Sequence, residues 1–249
     1  MLEIHRTSYI TFNTPQFLIK RYAETTSRIE KNHFDANAEN LKSESPTGYY
    51  ENIDVNISLI TLNCSILEGI IRHSFSSILI SDQMKMGDII ESTTDVNNLN
   101  VLIRARRLIE DIQINIETQS AWSLLIKSIQ SYSDINIKNI ADVRYDVISA
   151  IFSMRNCFAH GTAITLSPSV EVENEYLLKW KSKLASINSI LQAEFGFDLI
   201  DALRLPGFAL FFFNETQKLL KSLMDVGFTW NQHKEFITKV INYDFGMRF

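Results

Sequence analysis

Proline and glycine are scarce in this chain, at 4 and 8 of 249 residues. Sandwiches and barrels need turn residues roughly every ten positions, so the scarcity excludes them and leaves a mostly helical fold. Cysteine is scarcer still. Cys64 and Cys157 both fall in apolar stretches and are not spaced as a metal or redox pair, so they read as buried, reduced thiols. The 5 histidines (His5, His33, His73, His160 and His233) are scattered, with no two on one helix face and no His–Cys cluster. A zinc site is therefore not expected, nor any other metal or cofactor. Glycine-rich phosphate loops and a serine nucleophile elbow are also missing. So is an excess of positive charge: a formal net charge of −5 argues against broad binding to duplex DNA, which relies on many phosphate contacts. It leaves room for a small cationic cleft. The opening Met1-Leu-Glu-Ile-His-Arg6 lacks the basic and apolar regions of a secretory signal, and Phe208-Ala-Leu-Phe-Phe-Phe213 is too short to span a membrane. The expectation is a cytoplasmic protein with no membrane association.

What is present is ordinary for a soluble globular chain, 45% hydrophobic and 21% charged. No repeat, low-complexity tract or linker divides it, so residues 1–249 read as a single helical domain. Residues 2–13 suit an edge strand or extended arm, and 162–169 a turn and short extended segment. Thr14-Pro15 signals a helix start, and helix is expected over 15–41, followed by a break at 43–48 around Pro46. Apolar residues at three-to-four spacing predict a long helix over 55–80, with Glu68 in its middle and Arg72 one turn later. That pair reads either as an intrahelical ion link or as polar groups facing a cleft; His73 reads as a surface or satisfied histidine. Residues 81–98 read as loop, and 99–112 as a helix bearing Arg104, Arg106 and Arg107, the densest basic cluster in the chain. The alternation Ile112-Gln-Ile-Asn-Ile116 predicts a break before a helix over 121–132, whose buried side is Trp122, Leu125, Ile126 and Ile129. Further helices are expected over 171–195, 198–204, 206–224 and 230–243. Glu110-Asp111 reads as a solvated surface, and Phe211-Phe212-Phe213 as core.

Between 141 and 159 lies the run the rest is built to hold. Its start is marked by Asn139 or Asp142. Val147, Ile151, Met154 and Phe158 make one apolar stripe, widened by Ile148 and Phe152. The last turn departs from that pattern, because Arg155, Asn156 and His160 are polar, and Gly161 then offers the left-handed conformation that ends a helix.

Arg155, a polar Asn156, three further residues, then His160 and Gly161 at a helix end resemble the signature of the HEPN superfamily (higher eukaryotes and prokaryotes nucleotide-binding domain). Glu68 in an upstream helix, an intermediate helix with Trp122 and the late position of the Arg–His helix agree with it. The resemblance covers about residues 53–165, leaving an N-terminal extension (1–50) and a C-terminal helical extension (170–249). It implies an all-α HEPN-like bundle that dimerises with its Arg–His motifs meeting across the interface. It further implies a metal-independent endoribonuclease, a toxin or phage-defence effector, with RNA as substrate and an antitoxin or other regulatory protein as a partner. The alternative it leaves open is a non-catalytic module of the same fold that binds a nucleotide, RNA or a protein.

Metal-free RNA cleavage needs a base for the 2′-hydroxyl and an acid for the leaving 5′-oxygen. Imidazole can serve as either, while a guanidinium stabilises charge building on phosphate oxygens. Residues five apart on a helix are separated by about 140°. Arg155 and His160 of one chain therefore do not stack, whereas Asn156 and His160, four apart, share a face. A two-fold dimer resolves this by combining groups from both copies. The expected site is Arg155, His160 and Asn156, with Glu68 in support and Arg104, Arg106 and Arg107 steering RNA. A purely structural scaffold predicts instead that Arg155 and His160 are paired inside one subunit.

Overall fold

The computed structural model describes residues 18–28, 47–118, 121–133, 135–159, 175–228 and 234–243. Its first elements are α1 over residues 18–28 and α2, Thr47–Ser92. With no proline in its 46 residues, α2 runs unbroken for about 69 Å at ~1.5 Å per residue. Its first two thirds are core. Val55, Leu59, Ile60, Ile66, Leu67, Ile71, Phe75 and Leu79 are all at most 1% exposed.

Beyond Leu79 the character changes: no residue between Leu79 and Ile109 is buried. Residues 81–92, expected as loop, are helical, and the chain turns only at 93–95. Their polarity reflects solvent on most sides of a projecting limb, not irregular backbone. Thr93 Oγ1 donates to Ile89 O at 2.7 Å, and Asp95 Oδ1 accepts from Asn97 N at 2.9 Å, capping the next helix. That helix, α3 (Val96–Thr118), returns along α2. The break expected at 112–116 does not occur. Ile112 and Ile116, four apart, turn inward, and Ile114 points to solvent, so the alternation is an accident of helical spacing. Gln83 Nε2 donates to Gln113 Oε1 at 2.7 Å and Ser76 Oγ to Glu117 Oε1 at 3.0 Å, tying the two helices together.

Helix α4 (Trp122–Ser133) buries Trp122, Leu125, Ile126 and Ile129, the side its spacing predicted. After a 3-10 turn at Ile137–Asn139, Asp142 takes φ 65°, so α5 (Tyr145–Ala159) begins later than the expected Asn139 or Asp142. The Arg144 backbone N–H donates to the buried Glu215 carboxylate at 3.1 Å, anchoring that start. α5 packs against α2 and two later helices, α6 (Glu175–Phe195) and α8 (Phe208–Asp225). Between these lies α7 (Leu199–Ala202), capped by Asp198. α9 (Lys234–Ile241) closes the described chain. Gly196 (φ 74°) and Gly227 (φ 76°) follow α6 and α8 in the left-handed region.

Among the described residues the fold is all-α, as expected. The Phe-rich segment is core: Phe208, Phe212 and Phe213 are fully buried, and Phe213 stacks on Tyr22 of α1 at 4.5 Å. One hydrophobic cluster joins residues from α1 to α9. Asn56 Nδ2 reaches across it from α2, donating to Leu203 O at 2.8 Å and Leu205 O at 3.0 Å. The arm expected at 2–13, the second half of the helix expected at 15–41, the start of the break at 43–46, and the turn and extended segment expected at 162–169 lie outside the described residues.

Asn52–Ser92 is long and apolar enough, by length and composition, to cross a membrane, with a window of mean hydropathy 1.3. Scanning for uninterrupted apolar runs misses it, because Asn56, Asn63, Glu68 and Arg72 punctuate it. Half of that window is buried within the protein, as in a core helix.

Asn56→Ala leaves one buried and one part-buried carbonyl without their donor, and the expected loss is about 1–3 kcal/mol in urea denaturation. An unchanged midpoint would rule out this strut. Tyr132 donates to Asp82 Oδ2 at 2.8 Å. Burial first, then the Asp82 hydrogen bond and charge, push its phenol up to about 12. A raised phenol favours the folded state below the unfolded pKa of about 10, and the benefit is lost as pH rises towards 12. Tyr132→Phe is therefore expected to flatten the fall in stability between those limits, measured by denaturation at stepped pH.

Candidate functional site

Arg155 stands on the last turn of α5 because every earlier inward position of that helix is taken by core: Val147, Ile148, Ile151 and Met154 are 0% exposed. Its side chain turns towards the middle of α2. There Glu68 holds two guanidinium groups. Its Oε1 accepts from Arg72 Nε at 3.0 Å and Nη2 at 2.6 Å, while its Oε2 lies 3.7 Å from Arg155 Nη2. Arg72 is further fixed by Nη1 donating to the Ile116 carbonyl, near the end of α3. Glu68 thus forms the intrahelical pair and also meets Arg155; the shared cleft expected with His160 lies outside the described residues.

The two arginines are held differently. Arg72 has three hydrogen bonds and an 18% exposed side chain, whereas Arg155 is 29% exposed and its only ion pair among the described residues is the longer one. Phe152, one turn back, lies under its guanidinium with 5.8 Å from Cζ to ring centroid, and stacks in turn on Trp122 at 4.1 Å. The Arg155 Nε is enclosed and has no acceptor among the described residues. Cys64, one turn before Glu68, is buried, and burial pushes its thiol well up; the Arg155 charge opposes this and Glu68 adds to it. It is an inert thiol and not a nucleophile.

Asn156 is half-buried, and its side chain forms no hydrogen bond among the described residues. His160 and Gly161 lie outside the described residues, which reach Ala159 in this part of the chain. His73 is buried and has a bonding partner. Arg104, Arg106 and Arg107 are exposed on the limb, and Arg106 Nε pairs with Glu110 at 3.3 Å. Arg107 is nine residues before Ile116, about 13 Å along α3 from the point where Arg72 meets it. The basic cluster therefore stands apart from Arg155.

A second polar region lies at the opposite end of α5, about 16 Å from Arg155 along the helix. It is an open groove of about 830 Å³ lined by residues such as Arg144, Phe211, Glu215, Lys218 and Lys221. Its charges are largely matched internally: Lys218 Nζ lies 2.6 Å from Glu215, and Arg144 lies 3.4 Å from Glu194 and 3.5 Å from Asp146. Sequence reasoning missed Glu215 as an anchor; a lone carboxylate in the Phe-rich run, 3% exposed, was the available signal. No cluster of three or more His, Cys, Asp or Glu side chains able to hold a metal occurs among the described residues.

The unequal grip on the two arginines has a measurable consequence. Glu68→Ala strips Arg72 of charge-assisted hydrogen bonds and is expected to cost on the order of 2 kcal/mol. Arg155→Ala loses the longer contact and a loose stacking on Phe152, and is expected to cost about 1 kcal/mol or less. Urea denaturation of both variants decides this. Equal losses would make Arg155 a structural strut. In comparison with known proteins, the chain matches no family model, no curated protein and no solved structure.

Proposed function

We propose that this chain is a metal-independent endoribonuclease of the HEPN type, cytoplasmic and active as a homodimer. The observation that carries the reading is Arg155: it sits at the end of the buried α5, is partly exposed, and is steadied by Glu68 through one 3.7 Å contact, its only ion pair among the described residues. In the proposed reaction one His160 takes the proton of the ribose 2′-hydroxyl. The 2′-oxygen attacks the adjacent phosphorus, and the bond to the 5′-oxygen breaks. The other copy's His160 protonates that oxygen. The products are a 2′,3′-cyclic phosphate and a 5′-hydroxyl. Arg155 binds the phosphate oxygens as charge builds on them, Asn156 orients an imidazole or holds the phosphate, and Glu68 sets the position of Arg155. Arg104, Arg106 and Arg107, away from this point, attract the RNA chain without touching the reacting phosphate. An activity of this kind suits a toxin or antiviral effector under the control of an antitoxin or other regulatory protein.

The rival reading is a non-catalytic module of the same family that binds a nucleotide, RNA or a protein. It is favoured by the same ion pair, since Glu68 cancels part of the charge a phosphate would need.

The deciding experiment incubates the purified chain with RNA in EDTA. Cleavage is expected to persist, to leave cyclic phosphate ends, and to fall by about 10²–10⁴-fold in His160→Ala. Arg155→Ala is expected to lose at least ~10²-fold, the scale for one charge-stabilising donor. Cleavage that needs magnesium, or survives both substitutions, ends the proposal; binding without cleavage favours the rival.

A further inference from the structure

The limb built from the end of α2 and the start of α3 carries large apolar side chains in water. Val101 is 65% and Leu108 63% exposed. Seven residues apart, they fall on one stripe with a drift of only ~20°. Arg104 and Asp111, also seven apart, lie beside them on the outward side of α3. Both are exposed, and neither has an ion-pair partner among the described residues. The face thus reads apolar, positive, apolar, negative along one line. Turned end for end about the level between Arg107 and Leu108, position 104 meets 111 and Val101 meets the exposed Ile114, so positive faces negative and apolar faces apolar.

We propose that the outward face of α3 is an isologous interface with a second copy of this chain, the two α3 helices lying antiparallel about a two-fold axis at the level of Arg107 and Leu108. Arg104 and Asp111 lie about 5 Å to either side of that level. The axis therefore sets Arg104 of each copy opposite Asp111 of the other, twice over, and brings the two Leu108 side chains together beside it. Parallel pairing would oppose Arg104 to Arg104 and Asp111 to Asp111, so charge selects the antiparallel arrangement. A nucleic acid is a poorer occupant of this stripe, because Asp111 repels its phosphates and Val101 and Leu108 offer them nothing; Arg106 and Arg107 keep their charge for RNA when Arg104 is paired here. The surface is also separate from any that joins two α5 ends. Leu108 is eight residues, about 12 Å, along α3 from Ile116. The inference does not rest on the ribonuclease reading and stands whether or not RNA is cut.

Sedimentation equilibrium of the full chain at on the order of 10 µM tests it. Arg104→Asp and Asp111→Arg are each expected to lower the mass of the assembly about two-fold, and the double reversal to restore it. Leu108→Cys is expected to give a disulfide-linked dimer on mild oxidation, against a low background because Cys64 and Cys157 are buried. A monomeric parent chain, single reversals that leave the mass unchanged, a double reversal no better than the singles, or no cross-link at position 108 would each overturn the proposal. Activity on RNA is not read at any step, so failure of the ribonuclease reading cannot be mistaken for failure here.

Discussion

The burial of α5 against α2, α6 and α8 constrains everything else in this chain. A helix with core on three sides has little tolerance for charge, since an ion moved from water into the interior costs several kcal/mol unless it is paired. Arg155 survives on α5 because it sits at the last turn and because Glu68 meets it there. The position of one carboxylate on α2 therefore decides whether a guanidinium can stand at the end of α5. Arg72 and the Ile116 carbonyl decide, in turn, where that carboxylate points.

How far the fold could be read from the residues depends on where water is. The buried sides of α4 and α5 were legible because core positions recur at helical spacing and admit little else: Trp122, Leu125, Ile126 and Ile129 in one, Val147, Ile151 and Met154 in the other. The limb was not. From Ser81 to Leu108 solvent covers most of both helices, so polar residues fill the positions that would otherwise show a period. Polarity there measures exposure and says little about backbone. The same ambiguity misplaced the end of α3, where an apparent strand alternation concealed an inward pair, Ile112 and Ile116.

At the candidate site the residues were legible and their connections were not. Arg155, Asn156 and Glu68 stand out as polar groups in apolar helices, and the spacing of Glu68 and Arg72 gives their pairing directly. That Glu68 also reaches Arg155 depends on how α2 and α5 cross. That Arg72 reaches the Ile116 carbonyl depends on α3 running on to Thr118, against its own alternation. The histidine of the pattern that resembles HEPN proteins, His160, lies outside the described residues.

The trio at the middle of α2 has an odd number of charges. Arg72 and Arg155 bring two positive charges and Glu68 a single negative one, in a place where each side chain is at least two-thirds withdrawn from water. Among the described residues one uncancelled positive charge remains, and the aromatic pair of Phe152 and Trp122 beneath it can neutralise none of it. A group carrying one negative charge, brought to the open side of Arg155, would make the four together electrically neutral. A phosphodiester linkage has that charge and no more; a terminal phosphate, with nearly two, would overshoot.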